Sequence, residues 1–238
     1  MKDEIAVLYP NETVSMAILK YCREKSVPLP EHINKHAELT EKELGDKSEM
    51  MVSRLQAQYL VWTARSFNAK KILEVGCFTG FSALAFAEAL KDIDGAKIVT
   101  MDINEETGNI ARKAFQEAGV DHIVSFILGP AETTLAGLVA EGPFDLVFLD
   151  ANKDGYLTCF NTILELGLLR QGGILIADNV LKKGLIVNTT DQNPSLSDDY
   201  AMGKVPYIKE FNTAIANDPR VETFFLPVFD GLALVRLL

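Results

Sequence analysis

The stretch that most limits how this chain can fold is Lys71–Gly80, reading Lys-Ile-Leu-Glu-Val-Gly-Cys-Phe-Thr-Gly. Its apolar run Ile72–Val75 reads as a short strand, two glycines four residues apart follow, and a helix-like segment begins at Phe81. A strand, a glycine turn and a helix in that order let the backbone approach a ligand closely at the carboxyl edge of a sheet. Glu74 sits inside the apolar run, where a carboxylate is costly unless something pairs with it. The ligand is the expected partner.

From Lys71 onward, short apolar runs alternate with helical segments. The expected strands are Ile72–Val75, Lys97–Met101, Ile123–Leu128, Phe144–Leu149 and Ile174–Ala177. The helices between them are Gly80–Leu90, Glu105–Ala118, Ala131–Ala140 and Gly155–Leu168. Such alternation implies right-handed crossovers and an α/β fold with an open, doubly wound, mostly parallel sheet. After a polar stretch, Lys182 to Met202, a helix is expected around Tyr207–Ala216. Two further runs, Val221–Val228 and Leu232–Leu237, flank Asp230-Gly231, a hairpin signal that makes the last of seven strands antiparallel to its neighbour.

Residues 1–66 read as an N-terminal helical appendage to a core at 67–238, the whole making one domain. In the appendage, Asn11 or Thr13 can cap a helix with Val14, Ile18, Leu19 and Cys22 on one face, which Pro28 and Pro30 end. A polar break and a second helix, Ser48 to Ser66, follow. His32 and His36 are spaced to share a helical face, but without an H-E-x-x-H pattern they make a poor metal site.

The net charge of −10 and pI near 4.9 argue against nucleic acid or an anionic membrane as partner. Three cysteines (Cys22, Cys77, Cys159) without a C-x-x-C pair suit a reducing compartment. Met1-Lys2-Asp3-Glu4 is too acidic for a signal peptide, so a cytoplasmic location is expected.

Two sets of residues carry chemistry at the carboxyl edge. Glu74-x-Gly76-x-x-x-Gly80 lacks the third glycine of a dinucleotide fingerprint. The second strand ends at Asp102, placed to take both hydroxyls of a ribose or simply to close the strand. That acid suits nicotinamide and S-adenosylmethionine alike, whereas a buried Glu74 favours a cationic sulfonium–ammonium ligand over a pyrophosphate. In the second set, the strands ending in Asp150 and in Asp178-Asn179 would lie about 5 Å apart if adjacent. Their three oxygen donors suit Mg²⁺, with Mn²⁺ or Ca²⁺ as alternatives, although each acid could instead cap a helix or begin a turn. Lys153 follows closely; repulsion from a neighbouring cation favours its neutral amine, making it a candidate general base, or it is a solvated surface lysine.

These motifs together resemble the cation-dependent class I O-methyltransferases, the caffeoyl-CoA and catechol O-methyltransferase group. The likeness runs from about Ser48 to Leu238 through Met50-Met51-Val-Ser, Leu73-Glu74-Val-Gly76-Cys-Phe-Thr-Gly80-Phe-Ser82 and Met101-Asp102. It continues through Gly129-Pro-Ala131, Phe144 to Lys153, Ala177-Asp178-Asn179 and Leu226-Pro-x-x-Asp230-Gly231. The resemblance implies a Rossmann-like sheet with S-adenosylmethionine held by Glu74, Gly76, Ser82, Asp102 and the Ala131 backbone. Val52 and Cys77 make lesser contacts, and Asp150 borders the cofactor. It further implies metal ligation by Asp150, Asp178 and Asn179, catalysis by Lys153 with Asp150, and a homodimer.

The implied reaction is methylation of one hydroxyl of a vicinal aromatic diol: a catechol, a caffeoyl ester or thioester, a flavonoid or a similar phenolic. This sequence departs from the plant pattern at Asn152, at Arg54-Leu55-Gln56-Ala57-Gln58, where a carboxylate is lost, and at Val180-Leu-Lys-Lys-Gly184, which alters the substrate wall. An NAD-dependent oxidoreductase and a non-catalytic S-adenosylmethionine-binding protein are the rival readings.

Overall fold

A computed structural model describes residues 11–238; the reading of Met1–Glu4 therefore lies outside the described residues. Seven strands form one sheet: β1 (Lys71–Val75), β2 (Lys97–Asp102), β3 (Val124–Leu128), β4 (Phe144–Leu149), β5 (Leu169–Asp178), β6 (Val221–Leu226) and β7 (Leu232–Leu237). Their order is β3-β2-β1-β4-β5-β7-β6, with β1 to β5 parallel and β7 antiparallel to both β5 and β6. The order reverses between β1 and β4, and at such a switch point the strand ends open a crevice for ligands.

Helices cover both faces. On one lie α2 (Glu31–Leu44), α3 (Arg54–Ser66), α4 (Phe81–Leu90) and α5 (Glu105–Glu117), packed through residues such as Ile33, Leu60, Phe86 and Phe115. On the other lie α6 (Ala131–Thr134), α7 (Tyr156–Glu165) and α8 (Asp199–Asn217), packed through Leu135, Phe160 and Phe211. α1 (Glu12–Lys25) buries none of its residues, yet Gln58 of α3 donates to the Arg23 and Val27 carbonyls and holds its C-terminal end. Among the described residues no helix is long and apolar enough to cross a membrane.

Several boundaries differ from the sequence expectation, each for a local reason. The polar break before Ser48 is filled by α2, whose buried stripe of Ile33, His36, Ala37 and Thr40 is half polar and so lacks an apolar signature. α3 starts at Arg54, because Ser53 accepts from the Gln56 amide and caps it there. β5 begins five residues before Ile174. Gly172 and Gly173 interrupt its pattern, and the pairing with β4 shifts register between Phe144 and Leu146. α8 starts at Asp199, capped by Asp198, and runs through Pro206. The sequence expectation places this helix around Tyr207–Ala216 only, whereas buried Ala201, Val205 and Ile208 hold it on both sides of the proline.

Candidate active site

The carboxyl ends of β1, β2, β4 and β5 open into a cavity of about 1310 Å³. A pocket for one small ligand measures roughly 300–1,000 Å³, so two molecules fit side by side. Val52, Gly76, Cys77, Ser82, Asp102 and Ala131 line one part; Asp150, Lys153, Asp178 and Asn179 line the other.

The glycine turn explains the first part. Gly76 has φ +102, and a Cβ there would stand 2.0 Å from the Asp150 carbonyl oxygen, so β1 passes β4 at a distance only glycine permits. Gly80 has φ +89 and answers a different demand: a Cβ would run into the Phe115 ring as α4 begins. Asp102 accepts from the Cys77 and Phe78 amides at 3.0 and 2.8 Å through one oxygen, and from the Asn104 amide at 2.9 Å through the other. Its carboxylate thus shapes the turn while also facing the cavity. Cys77 is buried, and burial pushes its thiol well up, while its backbone amide belongs to the turn that Asp102 holds.

Glu74 lies behind the turn, fully buried. One carboxylate oxygen accepts from the Thr100 hydroxyl; the other has no partner among the described residues. Burial pushes its carboxyl up to about 8, opposed by the Thr100 and Ser82 hydroxyls and reinforced by Asp150 and Asp102.

In the second part, β4 and β5 pair Leu149 with Ala177, which sets Asp150 and Asp178 next to each other as the strands end. Lys153 Nζ donates to Asp150 Oδ1 at 3.0 Å and to Tyr156 Oη at 2.5 Å. The buried Tyr156 hydroxyl lies 3.0 Å from the Leu149 and Asp178 carbonyl oxygens, tying together the ends of both strands. Asp178 is 2% exposed; its Oδ2 accepts from Gln56 Nε2 at 2.7 Å and its Oδ1 from the Asn179 amide at 2.7 Å. Burial, then the Asp150 charge beside it, push the Asp178 carboxyl well above its usual range. Asn179 adopts φ 54, a left-handed conformation asparagine tolerates better than most residues. Among the described residues no three histidine, cysteine or acidic side chains converge on one point. The candidate ligand set has two carboxylates, and its third oxygen is the Asn179 amide.

The sequence profile of the O-methyltransferase family matches residues 23–238. The chain belongs to this O-methyltransferase family. It is 33% identical to O-methyltransferase ankF of Aspergillus thermomutatus, with 98% of each chain covered. It is 37% identical to a caffeoyl-CoA O-methyltransferase of Eucalyptus gunnii, with 93% of this chain and 88% of that one covered. Among solved structures, the SAH-bound methyltransferase PaMTH1 of Podospora anserina superposes with a TM-score of 0.91 at 39% identity, covering 98% of this chain and 99% of that one.

Three residues of this O-methyltransferase make contacts at the site that the sequence does not announce. His36 does not join His32, which is exposed; its ring is buried and Nε2 lies 2.7 Å from the Thr79 carbonyl. Burial lowers its pKa, so the neutral ring carries its proton on Nε2 and donates it to the turn. Gln56 stands in the segment that departs from the plant pattern, and its amide reaches Asp178 from α3. Tyr156 looks like a core aromatic, and only its hydroxyl partners reveal more. The one sequence signal for Gln56 is a polar side chain on a helix face that is otherwise buried.

Glu74 yields a measurable pH dependence. An unfolded glutamate ionises near ~4.3, and the folded one keeps its proton to about 8. Between those values the folded state binds the extra proton, so its stability falls as pH rises. From pH 6 to pH 8 the loss from this group is on the order of 2 kcal/mol. Urea unfolding at the two pH values should show wild type losing more stability than Glu74→Gln; equal losses would refute the burial of an ionisable carboxyl.

Proposed function

We propose that the protein transfers the methyl group of S-adenosylmethionine to one hydroxyl of a vicinal aromatic diol with the help of a divalent cation, Mg²⁺ foremost. The observation that carries this reading is one cavity that joins the glycine turn to the paired ends of β4 and β5, where Asp150, Lys153, Asp178 and Asn179 stand together. The SAH bound to PaMTH1 and the caffeoyl-CoA relatives support it.

The donor set fits a hard cation. Two carboxylates at adjacent strand ends repel one another, and Lys153 contributes a single positive charge against them. Asp150, Asp178 and Asn179 would hold the ion. When bound, it stabilises negative charge on a diol oxygen, whose phenol otherwise ionises only near ~10.

S-adenosylmethionine is consumed in each turnover and supplies a methyl group on a sulfonium. Glu74, buried with one oxygen unpartnered and holding its proton to about 8, would ionise when a positively charged donor arrives behind the turn, and the Cys77–Thr79 backbone, braced by Asp102 and His36, shapes the donor's seat. Lys153, its neutral amine favoured by repulsion between its ammonium and a cation held beside it, would then take the acceptor's hydroxyl proton on Nζ; the ammonium so re-formed is held by Asp150 Oδ1 and Tyr156 Oη. The acceptor oxygen then bonds to the methyl carbon as the carbon–sulfur bond breaks. Confining both substrates in one cavity supplies much of the acceleration.

Incubating the protein with EDTA should remove most methyl transfer to a catechol, and added Mg²⁺ should restore it. Undiminished turnover in EDTA would remove the cation from the reading.

A further inference from the structure

The loop after Asn179 places a lysine where the cavity has no use for one yet. Lys182 is 9% exposed and lines the cavity with Asp178, Asn179 and Lys153. Among the described residues its ammonium makes no hydrogen bond and no ion pair; its neighbour is the Tyr200 ring, 5.3 Å from Nζ to the centroid. The other cations of this wall are engaged. Lys183 pairs with Asp198 at 2.8 Å, Lys204 with Asp154 at 3.5 Å, and Lys153 with Asp150.

Lys182 and Lys183 both have left-handed backbone, φ 46 and 55, unusual for two consecutive residues other than glycine. That turn separates the pair. Lys183 swings out to Asp198, its amide donating to Asp230, while Lys182 stays inside. Asp230 and Asp198 act on Lys182 only through space, since Lys183 holds both directly. A nearly buried ammonium without a direct ion pair is unfavourable, and an aromatic face compensates it only in part. An anion arriving with the substrate would complete it.

We propose that Lys182 is a specificity-determining residue that pairs with an anionic substituent, a carboxylate, on the aromatic acceptor. The inference rests on the proposed methylation of an aromatic diol and narrows it to diols bearing an acid group. Tyr200, with Lys182 and Lys204 both at its ring, forms the wall beside that group.

The test compares 3,4-dihydroxybenzoate with its methyl ester, which removes the charge and keeps the diol, and adds a caffeoyl-CoA arm for anions carried on a remote thioester. Wild type should favour the acid over the ester by about tenfold or more in kcat/KM, as a charge-assisted pair predicts. Lys182→Met should bring that ratio close to one, and Lys182→Arg, which keeps the charge, should retain most of it. A ratio that Lys182→Met leaves as in wild type overturns the proposal, as does selectivity for caffeoyl-CoA alone. Calorimetric binding of the acid and ester keeps the two readings apart. A binding preference abolished by Lys182→Met upholds the lysine assignment even without turnover, whereas turnover of both diols with no such preference overturns it alone.

Discussion

Asp178→Ala is expected to lower kcat for methyl transfer by on the order of 10³-fold or more while S-adenosylmethionine binds within a few-fold of wild type. Asp178 is the buried member of the carboxylate pair, and no other acidic side chain of β5 reaches this edge. Its loss leaves Asp150 with Asn179 and frees the Gln56 amide. The proposed donor's seat is across the cavity on the turn between β1 and α4, so it should be spared. Asp178→Asn separates charge from shape: it keeps the size and a hydrogen-bonding group for Gln56 and loses only the negative charge. If charge is what matters, the Asn variant should be nearly as inactive as the Ala variant. Turnover by both, alongside calorimetric titration of S-adenosylmethionine, checks this; an Asp178→Asn enzyme with near wild-type kcat would overturn the cation-holding role.

Gly76→Ala should strike both halves of the site at once. The added Cβ would meet the Asp150 carbonyl oxygen at 2.0 Å and its carbon at 2.6 Å. These are backbone atoms, so no side chain can turn aside, and φ +102 strains any residue but glycine. Relief requires β1 and β4 to part where Asp150 N donates to the Val75 carbonyl at 2.8 Å. A loss of about 3 kcal/mol or more is expected, together with weak donor binding. Gly119→Ala is a useful contrast: its φ is also positive, but a Cβ there meets nothing within 4 Å, so it reports strain without collision. Equal denaturation midpoints for the two variants would show that the close crossing at Gly76 is not what the glycine serves.

How much of this is legible in the sequence varies with the kind of force involved. The alternating strands and helices are, because each buried parallel strand is a continuous apolar run and each turn carries its own punctuation. The strand-end acids Asp102, Asp150 and Asp178 are also legible, since a charge that closes an apolar run must sit at the sheet's edge. The start of β5 is not: its glycines read as a loop, and only pairing with β4 keeps them in the sheet. Nor is α8 before Tyr207, because the penalty of Pro206 is local while the packing that outweighs it comes from the core.

The two halves of the site differ in the same way. Chemistry that lies along one strand and its turn, Glu74 to Gly80 or Asp150 to Lys153, is determined by the sequence alone, since a few bonds place those residues together. Partners brought in from elsewhere were decided only by the tertiary structure: His36 on the Thr79 carbonyl, 43 residues apart; Gln56 on Asp178, 122 apart; and Tyr156 between the ends of β4 and β5. Hydrogen bonds of that kind leave no periodicity behind, because each is one contact between segments whose own patterns describe only which face is buried. The sequence determined the sheet and the acids at its edge; packing of the N-terminal helices and of α7 decided which polar groups hold those acids in place.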